Sequence, residues 1–167
     1  FFTPGFKLGV FFCSFLRNFL TYIISEQNVK EQNKMIYTSY YARAKAFPDL
    51  IHIRISTSVP KWYPFETKCI PELYPGFDLV NGLKTGEITE AEYDQKYKEK
   101  LAKLDKTTIM KKIEALAGEK DAVLLCYEKD GDFCHRHMVA EWLGNIKEMP
   151  KTGPEQAKDE VLLEDER

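Results

Sequence analysis

The stretch Val123-Leu124-Leu125-Cys126-Tyr127-Glu128, followed by an acidic turn and then Cys134-His135-Arg136, puts two thiols, a carboxylate, an imidazole and a guanidinium on one short piece of chain. These residue types suit thiol chemistry, proton transfer or the binding of an anion. An apolar run bounded by turn residues reads as a buried strand, Lys129-Asp130-Gly131-Asp132 as the turn that ends it, and His135 to Leu143 as a helix. The start of a helix offers unpaired N–H groups and the positive end of the macrodipole, so a thiolate or a bound anion is stabilised there. Cys134 is therefore the candidate nucleophile, since imidazole and guanidinium neighbours at a helix start lower a thiol's pKa. Cys126 and Glu128 stand close by in sequence, although a cysteine closing a buried strand is also an ordinary core residue. His135 is a candidate base, yet adjacent helical side chains diverge by about 100°, which would turn it away from the Cys134 sulfur.

The elements that must position these groups follow from the hydrophobic pattern. From Met35 onward the order is strand, long loop, helices, strand, helix, tail, the rhythm of a small three-layer α/β domain on a parallel sheet. Strands are expected over Met35–Ser39, Leu50–Ile55 and Ala122–Tyr127. In the second strand His52 and Arg54 alternate with Ile51, Ile53 and Ile55, so both polar residues need partners or a ligand. Residues 56–75 carry four prolines and several aromatics and are expected to form an irregular, functional loop. Helices are expected over Phe77–Lys84, ended by Thr85-Gly86; after Thr89, whose pairing with Glu92 is a capping box; and around Ile109, Met110, Ile113 and Leu116, with Gly118 as terminator.

In a parallel α/β sheet, ligands gather beyond the carboxyl ends of the strands. The residues leaving the three expected strands are Tyr40, Tyr41 and Arg43; Ser56, Thr57 and Ser58 ahead of Lys61 and Trp62; and Cys126 and Glu128 ahead of Cys134. Arg43, Arg54, Lys61, Arg136 and Ser56 form the expected anion-binding set, with Trp62 available to stack on a base. A zinc site built from Cys126, Cys134, His135 and the distant Cys69 has the right ligand types, but no Cys-x-x-Cys or His-x-x-x-His pair is present, and the spacing argues against a metal. A Cys126–Cys134 disulfide switch is a further reading. No Gly-rich phosphate loop or dinucleotide fingerprint appears, and no cofactor is expected.

Composition bounds the possibilities. The 167 residues are 44% hydrophobic, enough for one domain with a real core. The net charge of −2 and pI near 6.0 give no global basic footprint, so tight sequence-independent duplex binding is not expected. Four cysteines without the density of a secreted disulfide scaffold point to a reducing, cytoplasmic setting. The apolar run Leu8–Leu16 is too short to span a bilayer, so no membrane association is expected. Because the chain begins without Met and Met35 precedes the first strand, residues 1–34 are expected to be a leader foreign to the fold, 35–146 the single domain, and 147–167 a charged mobile tail.

Taken together, Met35-Ile36-Tyr37-Thr38-Ser39-Tyr40, Ile55-Ser56-Thr57-Ser58-Val59-Pro60, Gly86-Glu87-Ile88-Thr89, Glu92-Tyr93, Tyr97 and Leu124-Leu125-Cys126-Tyr127-Glu128 with Cys134-His135-Arg136 resemble the bacterial and phage domain of unknown function family 488. The resemblance covers nearly everything from Met35 to Leu143. It implies a small α/β domain with the Cys-His-Arg turn at its site, and it brings no established activity. Where many members of that family have Asp-x-Arg on the second strand, this chain has His52-Ile53-Arg54, and residues 1–34 have no counterpart. The expected function is that of a thiol-dependent enzyme acting on an anionic substrate, a nucleotide or nucleic acid. The alternatives are a noncatalytic anion-binding or sensing domain and a structural zinc-binding domain.

Overall fold

The computed structural model describes residues 34–144 and 146–150. Its centre is a five-stranded, wholly parallel sheet in the order β3-β2-β4-β1-β5. The strands are β1 (Ile36–Tyr40), β2 (Ile51–Arg54), β3 (Lys68–Cys69), β4 (Ala122–Cys126) and β5 (Lys147–Glu148). The helices are α1 (Tyr41–Ala44), α2 (Phe77–Thr85), α3 (Glu90–Ala102), α4 (Lys106–Ala117) and α5 (His135–Leu143), with a single 3-10 turn at Pro71–Leu73. The α/β class and the three long strands thus agree with the pattern of apolar residues. Two edge strands of two residues each were too short to show a period: β3 lies inside the proline-rich loop, and β5 lies beyond the domain boundary expected at residue 146. Pairing with Tyr37 and Thr38 holds β5 in the sheet, and Met149 just after it is buried. The leader expected over residues 1–34 and the remainder of the expected tail fall outside the described residues, apart from Lys34, Met149 and Pro150.

Strand β4 is buried along its whole length because both faces of the sheet are covered. Ala122 and Leu124 point into one core with Ile53, Ile55, Tyr97, Leu101, Ile113 and Val139, which brings α3, α4 and α5 onto that face. Val123 and Leu125 point the other way, toward Tyr37, Tyr41, Ala44, Leu50, Tyr63 and Met149. The second face is covered by the short α1 and by aromatic residues of the 56–75 loop rather than by long helices.

Helix starts follow local chemistry. Thr89 and Glu92 form the expected reciprocal capping box, and Asp105 caps α4 by accepting from the Thr108 N–H at 2.9 Å. Gly86 ends α2 in the left-handed region, where a residue without Cβ is favoured.

The two polar residues of β2 find partners inside the protein. His52 hydrogen-bonds the Phe47 carbonyl through Nε2 at 3.1 Å, so its Nδ1 accepts from the Tyr63 hydroxyl at 2.9 Å. Burial holds the His52 pKa below its ordinary value, against the opposing pull of the Phe47 carbonyl. A group with a depressed folded-state pKa binds its proton more readily when unfolded, so its contribution to stability is full above about 6.5 and is lost as pH falls below that value. The thermal midpoint of the wild type is accordingly expected to fall as pH drops below about 6.5, and less so in His52→Gln. Parallel pH profiles of the two proteins would refute this assignment.

Candidate functional site

Beyond the carboxyl ends of β2 and β4 lies a cleft of about 950 Å³. Its walls include Ser56, Thr57 and Ser58 after β2, Val80, Leu83 and Lys84 on α2, Tyr93 on α3, and the whole turn from Cys126 to His135 apart from Lys129 and Asp130. At its floor the ligand-type atoms of Cys126, Glu128, Cys134 and His135 all lie within 4.8 Å of one another. Both sulfurs donate to Glu128 Oε2, Cys126 at 2.8 Å and Cys134 at 3.1 Å. His135 Nε2 donates to the Ile55 carbonyl at 2.9 Å, which leaves Nδ1 as the lone-pair nitrogen 3.5 Å from the Cys126 sulfur. The ring rests edge-on against Tyr97, whose hydroxyl donates to the Leu73 carbonyl.

This convergence depends on where the helix begins. Cys134 is the N-cap of α5, with extended backbone (φ −153°, ψ 136°), and its sulfur accepts from the Arg136 N–H at 3.5 Å. Because Cys134 stands before the first helical residue, the divergence of about 100° between helical neighbours does not apply to the pair. Both Cys134 and His135 therefore reach the floor of the cleft. The preceding loop turns back through Gly131, whose positive φ of 86° is disfavoured for a residue with a Cβ.

The site separates the two thiols electrostatically. The Cys134 thiol is pulled down to about 6, chiefly by a hydrogen bond from Cys126 and also by His135, against the opposing effect of burial. Cys126 is pushed well up by its hydrogen-bonding contact with Cys134, by burial, which disfavours its charged form, and by the negative charge of its Cys134 and Glu128 neighbours. For Glu128, burial pushes upward, but the hydrogen bonds from both thiols together outweigh it and leave the carboxyl below its ordinary value.

The expected catalytic set, Cys126, Glu128, Cys134 and His135, is thus brought together. The expected anion-binding set is not. Arg136 is wholly buried, with 0% of its side chain exposed, and grips the Glu128 and Lys129 carbonyls and the Glu148 carboxylate. Arg43 pairs with Asp130 at 3.0 Å. Arg54 donates to the Thr57 carbonyl at 2.7 Å and lies over the Tyr74 ring. Lys61 is exposed and Trp62 is 56% exposed under the Lys45 ammonium; neither lines the cleft. Ser56 does line it, though its hydroxyl is held by Tyr41 and the Ser58 carbonyl. Among the described residues that line the cleft, Lys84 is the one lysine or arginine. Lys84, Tyr93 and Phe133 were not expected at the site; Tyr93 shows only as a core position on its helix, and its place at the cleft depends on how α3 packs beside α5. Cys69, half-buried on β3, is not part of the cluster.

A parallel α/β domain with a thiol-rich strand-loop-helix centre beyond its strand ends is the class that this fold and site define. The chain belongs to the DUF488 family: residues 36–147 match the profile of DUF488-N3a, the active DUF488-N3 subclade. No curated protein and no solved structure matches the chain. Among the described residues no helix is long and apolar enough to cross a membrane.

Proposed function

We propose that this protein is a thiol-dependent enzyme whose active centre is the Cys126, Glu128, Cys134 and His135 cluster, acting on a substrate of about nucleotide size. The observation that carries the reading is the convergence of two thiols, a carboxylate and an imidazole at the floor of an open cleft. Groups of this kind are costly to bury together, and a packed core has no need of them. The matching subclade is the active one of DUF488-N3, which agrees with an enzyme. The cleft walls combine the aromatic side chains of Tyr93 and Phe133, packed edge to face, with the hydroxyl-bearing Ser56–Ser58 segment, a lining of apolar and polar groups suited to a small heterocycle with polar substituents. For an anionic group on that substrate, Lys84 supplies the charge, in place of the arginines expected from the sequence.

A turnover screen of nucleosides, nucleotides and short single-stranded oligonucleotides tests the reading, with products resolved by chromatography. Wild-type protein is expected to convert one of these classes, and Cys134→Ser to bind the same compound without converting it. Binding without turnover by the wild type would establish a noncatalytic sensing domain instead. Equal turnover by wild type and Cys134→Ser would remove the thiol from the chemistry.

A further inference from the structure

We infer that Cys126, Cys134 and His135 are three ligands of a single divalent metal ion of the zinc class, with the fourth position open to the cleft and Glu128 beside it. The inference rests on the reading of the cleft as an active site and deepens it by assigning what the thiols do.

The first argument is geometric. Ligands at about 2.3 Å for sulfur and about 2.0 Å for imidazole nitrogen, arranged tetrahedrally around one ion, stand roughly 3.5 Å apart. The donor atoms of Cys126, Cys134 and His135 lie within 4.8 Å of one another, and the Cys126 sulfur, beside the ring at 3.5 Å from Nδ1 and 3.8 Å from Nε2, reaches such a position by a small rotation of its side chain. The second concerns the imidazole. A metal-bound histidine characteristically donates its other N–H to a carbonyl or carboxylate, which fixes the tautomer and aims the lone pair. His135 does this through Nε2 and the Ile55 carbonyl. The third is the N–H of Arg136 directed at the Cys134 sulfur, a contact that stabilises a charged thiolate at a helix start.

Glu128 has a different role. Its Oε2 lies 2.8 and 3.1 Å from the two sulfurs, closer than two ligands of one tetrahedral ion stand to each other. It is therefore a proton carrier beside the ligands and not one of them, and three protein ligands with one open position are the arrangement of catalytic rather than structural zinc. As the metal–sulfur bonds form, the thiol protons pass to solvent, with Glu128 as the nearest acceptor. A centre of this kind supports hydrolytic attack by water on the bound substrate. The lack of a Cys-x-x-Cys pair does not count against it. That spacing belongs to ligands on one tight turn, whereas here Cys126 closes a strand and Cys134 caps the next helix.

The test uses the full chain, reduced and stripped of metal, titrated with Zn²⁺ against a chromophoric chelator and separately with Co²⁺. About one equivalent of either ion is expected to bind, the cobalt form showing a sulfur-to-metal charge-transfer band. Cys126→Ser, Cys134→Ser and His135→Gln are expected to weaken zinc binding by more than the roughly 10- to 100-fold that loss of an outer contact costs. Cys69→Ser is expected to leave it unchanged, and Glu128→Gln to stay within about tenfold. Absence of the cobalt charge-transfer band in the wild type overturns the inference whether or not any variant folds, as does unchanged affinity in Cys126→Ser and Cys134→Ser. Turnover that needs Cys134 in protein that binds no metal would overturn the metal site and leave the enzyme standing. One bound metal with no turnover of any compound screened would uphold the metal site and overturn the enzyme.

Discussion

Arg136→Met is expected to cost the protein about 3 kcal/mol, toward the lower end of what breaking a buried ion pair costs, because Glu148 keeps a third of its side-chain surface in water. The methionine keeps much of the arginine's length and apolar stem, so the loss is electrical and not a cavity. Three groups lose a donor at once: the Glu128 carbonyl, the Lys129 carbonyl and the Glu148 carboxylate, which keeps the Thr38 hydroxyl. The first two belong to the loop that carries Glu128 to the thiols, and the third belongs to β5, the edge strand that two residue pairs hold against β1. One guanidinium therefore ties the site loop to the sheet edge through the first turn of α5. For a domain of this size about 3 kcal/mol corresponds to a fall in thermal midpoint of roughly 10–20 °C, read by circular dichroism on the full chain. A change of less than about 3 °C would mean that the buried guanidinium is replaceable and that the loop is held by other contacts.

Glu128→Gln is expected to lower turnover by about 10²- to 10⁴-fold, the range for loss of a positioned acid or base, while leaving the fold and the metal centre in place. Glutamine has nearly the same shape; in the metal-free protein its carbonyl oxygen accepts from the thiols as the carboxylate does, and beside metal-bound thiolates its N–H₂ donates to sulfur. What it cannot do is take up and return a proton. The measurement is the turnover found in the screen, compared between wild type and variant, alongside their cobalt spectra. A variant with wild-type turnover would show that Glu128 only supports the thiols. A variant that also loses the sulfur-to-cobalt band would show that the carboxylate is needed to hold the ligands, which the distances to the sulfurs argue against.

These two residues illustrate how legible the site was. Glu128 stands two residues beyond Cys126 and six before Cys134, and its membership could be read from proximity along the chain. Arg136 is adjacent to His135 in sequence and is expected from it to bind an anion in the cleft. The structure instead buries it behind the loop, because the first turn of a helix sends successive side chains in different directions. Cys134 escapes that rule only by being the cap.

The sequence by itself determined the parallel α/β class, the three long strands, the helix starts at Thr89 and His135, the family, and the grouping of Cys126, Glu128, Cys134 and His135. All of these rest on local period, local capping chemistry or a motif contained in one strand, loop and helix. Only the tertiary structure decided the two edge strands, too short to carry a period, and the partners of His52 and Arg54. The same holds for the dispersal of Arg43, Arg54, Lys61 and Arg136 into internal pairs. A cation's partner depends on which chain segments pack beside it, and the sequence pattern alone carries no record of that. The cleft itself is of this kind: its floor is one continuous turn, readable in order, while its walls come from α2, α3 and the segment after β2, which meet only when the sheet and its helices have packed.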